Sequence, residues 1–287
     1  MNKNKIRTYQ NILGVFFLRF LIFFTIFFLV LFLYIIFSKG YKVLSWDFIS
    51  KFPKDGMTKG GVFPAIYGSF LLTVLSVIFA FPVGLFTAVF LTEYAKPLWL
   101  VNAINISINT LSGIPSIVFG LFGLAIFVNG LKFGVSLISG ALTLSVLILP
   151  IIINSTVEAI KTVPKDFAEA SFALGATKTQ TIFKVVLPAA LPGILTGTII
   201  SVGRAAGETA PILFTAATFY TRELPSSIFD EVMALPYHIY ALVTEGTKPA
   251  LQKPIAYGSA LILLVLVLGV NLLSIFIRSN IRRKRKC

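Results

Sequence analysis

Long apolar runs separated by short polar stretches set the pattern of this chain. Six of them, roughly 17–37, 66–92, 107–129, 135–157, 191–218 and 256–278, predict helices. Each is long enough to cross ~30 Å of hydrocarbon, which takes about 20 helical residues. The first run is rich in Phe and Leu and nearly free of Gly, Pro and polar residues, so it predicts a lipid-facing peripheral helix. It is too long for the ~7–15-residue core of a cleaved signal peptide, and no small-residue cleavage site follows it, so it reads as a retained anchor. The other runs differ in texture: Pro82, Pro115, Pro150 and Pro211 each interrupt one, with Gly, Ser and Thr nearby. Proline removes a helix hydrogen bond and frees the carbonyl four residues back. In a membrane that carbonyl needs a partner inside the protein or a watery path.

The fifth run alone adds charge, in Gly203-Arg204-Ala205-Ala206-Gly207-Glu208-Thr209-Ala210-Pro211. If the run is helical throughout, Arg204 and Glu208 share one face, a turn apart. Arg204 follows Leu191 by 13 residues, or roughly 20 Å at ~1.5 Å per residue, which is near the bilayer middle. Ionisable groups there cost roughly 2.5–3.5 kcal/mol each on insertion scales and mark substrate or ion paths. The run is also rich in small residues four apart, Gly193 with Gly197 and Gly203 with Gly207, a spacing that lets helix backbones approach closely.

Composition fits a membrane chain. Of 287 residues 56% are hydrophobic and 13% charged, against about 25% charged in soluble domains, and the mean hydropathy is +0.90. The single Cys, Cys287, excludes an internal disulfide, and with His238 as the only His a His/Cys metal site has too few ligands. Tyr237 and His238 read as exposed outer-loop contacts. A net charge of +14 raises nucleic acid or a membrane surface as partner, and the position of the charges decides. With the N-terminus inside, fifteen Lys and Arg fall inside, nine outside, and Arg204 in the membrane. That bias predicts cytoplasmic N- and C-termini, although Lys39, Lys42, Lys51, Lys54 and Lys59 in the first outer loop oppose it. The tail Arg282-Arg283-Lys284-Arg285-Lys286 is expected to meet anionic lipid rather than nucleic acid. The chain divides into an N-terminal helix and outer loop (1–65), a transmembrane domain (66–278) with an inner loop (158–190), and a basic tail (279–287).

The inner loop carries its own signals for two short helices. Pro164 suits a helix start, and Phe167, Ala170, Ser171 and Leu174 form an apolar stripe. Gly175 suits a left-handed stop. Thr177-Lys178-Thr179-Gln180 fits a capping box, and Leu187-Pro188 is expected to close the second helix. Such a loop reads either as an amphipathic connector on the membrane or as a docking element for a soluble partner.

The stretch Glu169-Ala170-Ser171, three residues, Gly175, nine residues, then Val185-Val186-Leu187-Pro188 resembles the EAA loop of ABC importer permeases. Ser171 stands for the second Ala and Val185 for Ile of that pattern. The resemblance implies an all-α integral membrane protein with six transmembrane helices: a type I importer (MetI-like) core of five plus an N-terminal helix. It also implies a coupling loop, with Glu169 a polar contact in a cleft of an ATPase subunit, Ala170 and Ser171 allowing close approach, Gly175 making the bend, and Leu187 and Pro188 ending the motif. Gly203–Ala216, together with Gly60–Ser69, Ser112–Gly120 and Leu235–Tyr240, is similar to PstA-type permeases of phosphate importers. That similarity covers the chain from about Ser45 to the last span. It implies a PstC-like second permease, two ATP-binding subunits that hold ATP-Mg, an external phosphate-binding protein, and a place in the plasma (inner) membrane. No cofactor and no catalysis are implied for the chain itself, which also lacks a G-x-x-x-x-G-K-[ST] phosphate loop.

Three readings of Arg204 and Glu208 remain open: a structural ion pair, an anion contact whose counter-charge keeps binding weak, and a proton relay of a secondary transporter. Their assignment to the substrate path is the expectation. A permease for another oxyanion, molybdate or sulfate, and an ATP-independent transporter are the alternatives, because the pair nets to zero and does not itself select phosphate.

Overall fold

The apolar runs become helices. In the computed structural model, which describes residues 3–95, 97–221 and 223–283, five single helices reach membrane-crossing length: Asn11–Val43, Phe63–Tyr94, Leu137–Lys161, Lys178–Gly207 and Pro249–Leu272. The elements in chain order are α1 (Lys3–Gly40), α2 (Trp46–Ser50), a hairpin of β1 (Pro53–Lys54) and β2 (Lys59–Gly60), α3 (Phe63–Val89), α4 (Leu98–Gly113), α5 (Ser116–Gly123), α6 (Leu137–Lys161), α7 (Lys165–Ala173), α8 (Lys178–Thr181), α9 (Leu187–Gly207), α10 (Ala210–Thr215), α11 (Leu235–Thr244) and α12 (Pro249–Arg283).

The expected third span, 107–129, is not one rod. Helix α4 and the segment Ser116–Gly130 meet at 106°, so a sixth crossing exists only as a broken pair. The break falls where proline chemistry puts it. Ile114, just before Pro115, is extended (φ −74, ψ 133), because the proline ring disfavours helical backbone at the preceding residue. Pro82 and Pro150, by contrast, lie inside continuous α3 and α6. A missing hydrogen bond is tolerated where neighbouring helices hold the rod in place.

Helix α6 is the centre of the bundle: about two thirds of its most apolar stretch is buried, whereas almost none of that of α1 is. Ala141, Ile148 and Ile152 have no exposed surface. Lipid is as apolar as leucine, so close backbone approach rather than water exclusion holds such helices together. On α3, Gly84 admits Ile152: a Cβ there would come within 2.6 Å of its Cγ2. On α9, Gly193 lies against Ala159, and a Cβ at Gly197 would collide with Ser155. The first small pair thus makes the α6–α9 crossing. The second does not act the same way: Gly203 would only touch Asn271 at 3.5 Å, and a Cβ at Gly207 would meet nothing.

Helix α1 stands at the periphery, as its Phe-rich pattern predicts, and rests on α12 where Gly40 meets the Tyr257 carbonyl. On the side of the α1 C-terminus, the segment between α10 and α11 folds back onto the bundle. Backbone N–H groups of Ser136, Leu137 and Ile138 at the α6 start donate to Thr215, Asp230 and Ile228 carbonyls at 2.9 Å each, satisfying donors that a helix start leaves unpaired. The Asp230 carboxylate accepts from Ser226 N, Ser227 N and Ser226 Oγ at 2.8–2.9 Å. The Ser227 backbone bond, then the Ser226 bonds, hold its pKa below the ordinary value.

Candidate functional site

The fifth apolar run is broken at its charges. Helix α9 ends at Gly207; Glu208 is extended (φ −75, ψ 132), and α10 restarts at Ala210 with Pro211 in its first turn. Arg204 and Glu208 are therefore not on one continuous helix, contrary to the simplest reading of the run. Pro211 cannot donate to the Gly207 carbonyl, so the chain leaves the helix before the proline rather than bending through it. The break nevertheless keeps the charges together: Arg204 Nε lies 3.3 Å from Glu208 Oε1. Arg204 sits in the last turn of α9, where the carbonyl end of the helix favours a cation.

The two partners differ in surroundings. Glu208 is 17% exposed and borders a small nook with Ser69 and Thr73 of α3, Leu144 of α6 and Pro236 of α11. Arg204 is 44% exposed. An arginine on a membrane-spanning helix cannot leave that surface against lipid tails without a large cost, so it faces a wet path or another protein. With Nε turned toward Glu208, the terminal guanidinium nitrogens keep donors that no described residue engages by a hydrogen bond.

Ser69 and Thr73 were not singled out by sequence reasoning, yet they line the nook with Glu208. Their signal was present: Ser69, Thr73 and Ser76 recur at i, i+4 and i+7 of an otherwise apolar run, and all three are buried. Ser69 Oγ accepts from Leu235 N at 2.7 Å, tying α11 to α3 beside the nook. The expectation of an exposed His238 fails. Its side chain is 2% exposed and neither ring nitrogen has a hydrogen-bond partner. Leu235-Pro236 start α11, which turns Tyr237 and His238 into the bundle. Burial alone pulls the His238 pKa down from 6.5 to about 4.

The inner-loop residues form a second group. Helix α7 carries Glu169, Ala170 and Ser171, and ends in a left-handed Gly175 (φ +80). Gly175 N donates to Phe172 O at 2.9 Å and Ala176 N to Ser171 O at 3.2 Å, the paired bonds of a Schellman stop. The Thr177–Gln180 capping box is formed. Ser171 Oγ lies 2.9 Å from Thr181 Oγ1 and ties α7 to α8. Lys178 reaches the Glu93 carbonyl and lies over the Tyr94 ring at 4.7 Å, joining this loop to the wide helical turn Phe90–Tyr94 that follows α3. Glu169 and Ala170 are exposed, and so are Phe167, Phe172 and Leu174, the last at 90%.

The second loop helix is not short. From Lys178 the rod runs unbroken to Gly207, so Leu187-Pro188 does not close it. A wide turn at Ile182–Val186, with Leu187 N bonded to Ile182 O five residues back, precedes Pro188. The proline then sits in the first turn of α9, where its missing N–H matters least. Leu187 packs inward against the cluster of Ile160, Ile182 and Val186. Lys96, Arg222 and the tail residues Lys284–Cys287 lie outside the described residues.

Comparison with known proteins agrees with this architecture. The family described as binding-protein-dependent transport system inner membrane component matches residues 80–286. The probable ABC transporter permease protein YqgI of Bacillus subtilis (strain 168) is 36% identical over 262 residues, 88% of each chain. The phosphate transport system permease protein PstA of Mycobacterium leprae (strain TN) is 39% identical over 214 residues, 74% of this chain and 69% of the other. A solved bacterial ABC transporter involved in the import of the acidic polysaccharide alginate has the same fold, with a TM-score of 0.67 at 17% identity over 96% of this chain and 99% of that one. The protein is thus a multi-pass inner membrane subunit with no ATP site or cofactor of its own, ATP being bound by partner ATPase subunits, and it belongs to the family of binding-protein-dependent transport system inner membrane components.

Proposed function

We propose that this chain is the PstA-type permease subunit of an ATP-driven importer of inorganic phosphate. In this reading it forms half of the translocation path beside a PstC-like second permease. Two ATP-binding subunits dock on the α7 side, which is cytoplasmic along with both termini. A phosphate-binding protein docks on the opposite side, over the α2–hairpin segment and the loop before α11. Phosphate as cargo is supported by relatives such as the PstA of Mycobacterium leprae, 39% identical.

The observation that carries the mechanism is the break at Arg204–Glu208 at the far end of a rod that begins in the inner loop. The exposed face of α7, with Glu169, Ala170, Phe172 and Leu174, is the surface for the ATPase cleft. Movement of that loop passes along the rod to Arg204. There the guanidinium offers paired donors suited to a tetrahedral oxyanion. Glu208 holds one edge of the fork and limits how tightly the anion binds, as passage requires. The exposure of Arg204 favours the pathway role over a purely structural pair.

The test is ATP-dependent uptake of labelled phosphate into vesicles carrying the assembled complex with Arg204→Gln, with ATPase activity measured alongside. Uptake should fall at least tenfold while the subunits remain assembled. Wild-type uptake in an assembled variant would remove Arg204 from the path. Preferential uptake of labelled sulfate or molybdate by the wild type would replace phosphate as cargo.

A further inference from the structure

A second, larger groove shares no residue with the nook at Glu208. It has a volume of about 700 Å3 and lies between the C-terminal end of α1, helix α11 and the start of α12. That size is within the ~300–1,000 Å3 of ligand clefts. Its apolar lining includes Phe32, Ile36, Ile239, Val243 and Ala260. Its mouth carries three ammonium groups, Lys39, Lys42 and Lys253. None of the three has a carboxylate partner among the described residues.

Three further features give the groove its orientation. Lys39 lies 4.9 Å over the Tyr257 ring, which holds its charge at the mouth. Gly40 against Tyr257 fixes the crossing of α1 and α12, so the walls are set by backbone contact. Pro249 and Ala250, in the first turn of α12, border the mouth, and the positive end of that helix adds to the lysines. Tyr41 (64% exposed) and Trp46 (79%) stand beside Lys39 and Lys42 in sequence. Exposed aromatics at the end of an apolar helix mark the headgroup level of a bilayer. The groove therefore opens at the membrane–water boundary and runs down into the hydrocarbon.

We infer that this groove is a binding site for one anionic phospholipid, its phosphate held by Lys39, Lys42 and Lys253 and its upper acyl chains lying against Ile36, Ile239 and Val243. Charge complementarity selects the occupant: a zwitterionic lipid gains little from three unpaired lysines, and a free phosphate has no use for the apolar lining. The bound lipid would add to the contact that the peripheral α1 makes with α12 at Gly40 and Tyr257.

The experiment uses the intact importer complex, purified in detergent and exchanged into phosphatidylglycerol or phosphatidylcholine, with retained lipid measured by native mass spectrometry. Wild type should retain phosphatidylglycerol over phosphatidylcholine. A lysine near an anionic lipid surface contributes about fivefold in affinity, so Lys39→Gln/Lys42→Gln/Lys253→Gln should weaken phosphatidylglycerol retention by roughly a hundredfold. Lys51→Gln/Lys54→Gln/Lys59→Gln, on the same side but outside the groove, should leave it unchanged. If the triple variant does not assemble, Lys253→Gln alone should weaken retention by about fivefold. Unchanged retention in the groove variants, equal retention of the two lipids, or displacement by millimolar inorganic phosphate would each overturn the assignment.

Discussion

His238 makes a testable demand on pH. Its imidazole is buried, with no hydrogen-bond partner, and burial lowers its pKa from 6.5 to about 4. Between these values the unfolded chain binds a proton that the folded chain refuses. Stability therefore rises with pH through that window and is fully present above 6.5. At 1.36 kcal/mol per unit, lowering the pH from 7 to 4 should cost about 3 kcal/mol at this one group. The loss should appear first as opening of α11 (Leu235–Thr244), since charging the ring favours its exposure to water. Amide hydrogen exchange of that segment in the purified complex, corrected for intrinsic exchange at each pH, measures the opening. In His238→Leu the pH dependence of α11 opening should vanish. Its stability at pH 7 should stay within about 1 kcal/mol of wild type, because no hydrogen bond is removed. An α11 protection curve with the same pH slope in wild type and His238→Leu would refute the reasoning.

Two further substitutions probe the rod that carries Arg204. Gly197→Leu places a side chain where even a Cβ collides with Ser155, and overpacking of this kind costs about 1–3 kcal/mol; the thermal midpoint of the assembled complex should drop, and an unchanged midpoint would show that α6 and α9 part easily. Gly175 (φ +80) has no heavy atom within 4 Å of a built Cβ, so Gly175→Asp should act through backbone strain and through the docking face, with ATPase subunits lost on purification. Gly175→Asn, which tolerates the left-handed region better than most residues, should keep more of them; normal co-purification of the Asp variant would exclude this turn from docking.

The sequence made much of this architecture legible, because in lipid the apolar run itself is the element. All five single spans overlap the runs read from the chain. The inner loop was readable in part: the Gly175 stop and the Thr177–Gln180 box are local devices whose hydrogen bonds involve neighbours in sequence, whereas the rod's passage through Leu187-Pro188 was not foreseen. What escaped was decided by tertiary contact. The 106° break at Ile114-Pro115 and the unbroken passage through Pro150 involve the same residue type, and surrounding helices rather than the proline choose between them. His238 was read as exposed because it falls outside the apolar runs, between 191–218 and 256–278; only the return of the chain after α10 onto α6, through the Thr215, Ile228 and Asp230 carbonyls, puts α11 inside. The nook polarity of Ser69 and Thr73 went unnoticed because single hydroxyls in a membrane helix bond to their own backbone, as Thr73 does to Ser69 O at 2.7 Å.

The break at Glu208 gives the charged pair a meaning that a continuous helix would not. On one rod, Arg204 and Glu208 would move together and their separation would report nothing. Here Arg204 belongs to the 30-residue rod Lys178–Gly207, about 45 Å long at ~1.5 Å per residue. Glu208 lies past the end of that rod. Beyond it, α10 is anchored elsewhere: a Cβ on Gly120 of α5 would come within 2.9 Å of the Ala210 carbonyl, and one on Gly123 within 2.9 Å of Thr215 Cγ2. Moving the rod against α5 and α6 therefore stretches or closes the Arg204–Glu208 contact, which is 3.3 Å in this state. In the proposed cycle, the inner loop pulls on the end carrying Lys178, and the response is read at the hinge 30 residues away. In that proposal, opening the pair would free the guanidinium for an anion, and closing it would return the counter-charge and release the anion. A side-chain ion pair that straddles a hinge can thus convert a rigid displacement into a change of anion affinity, with no need for the rod itself to bend.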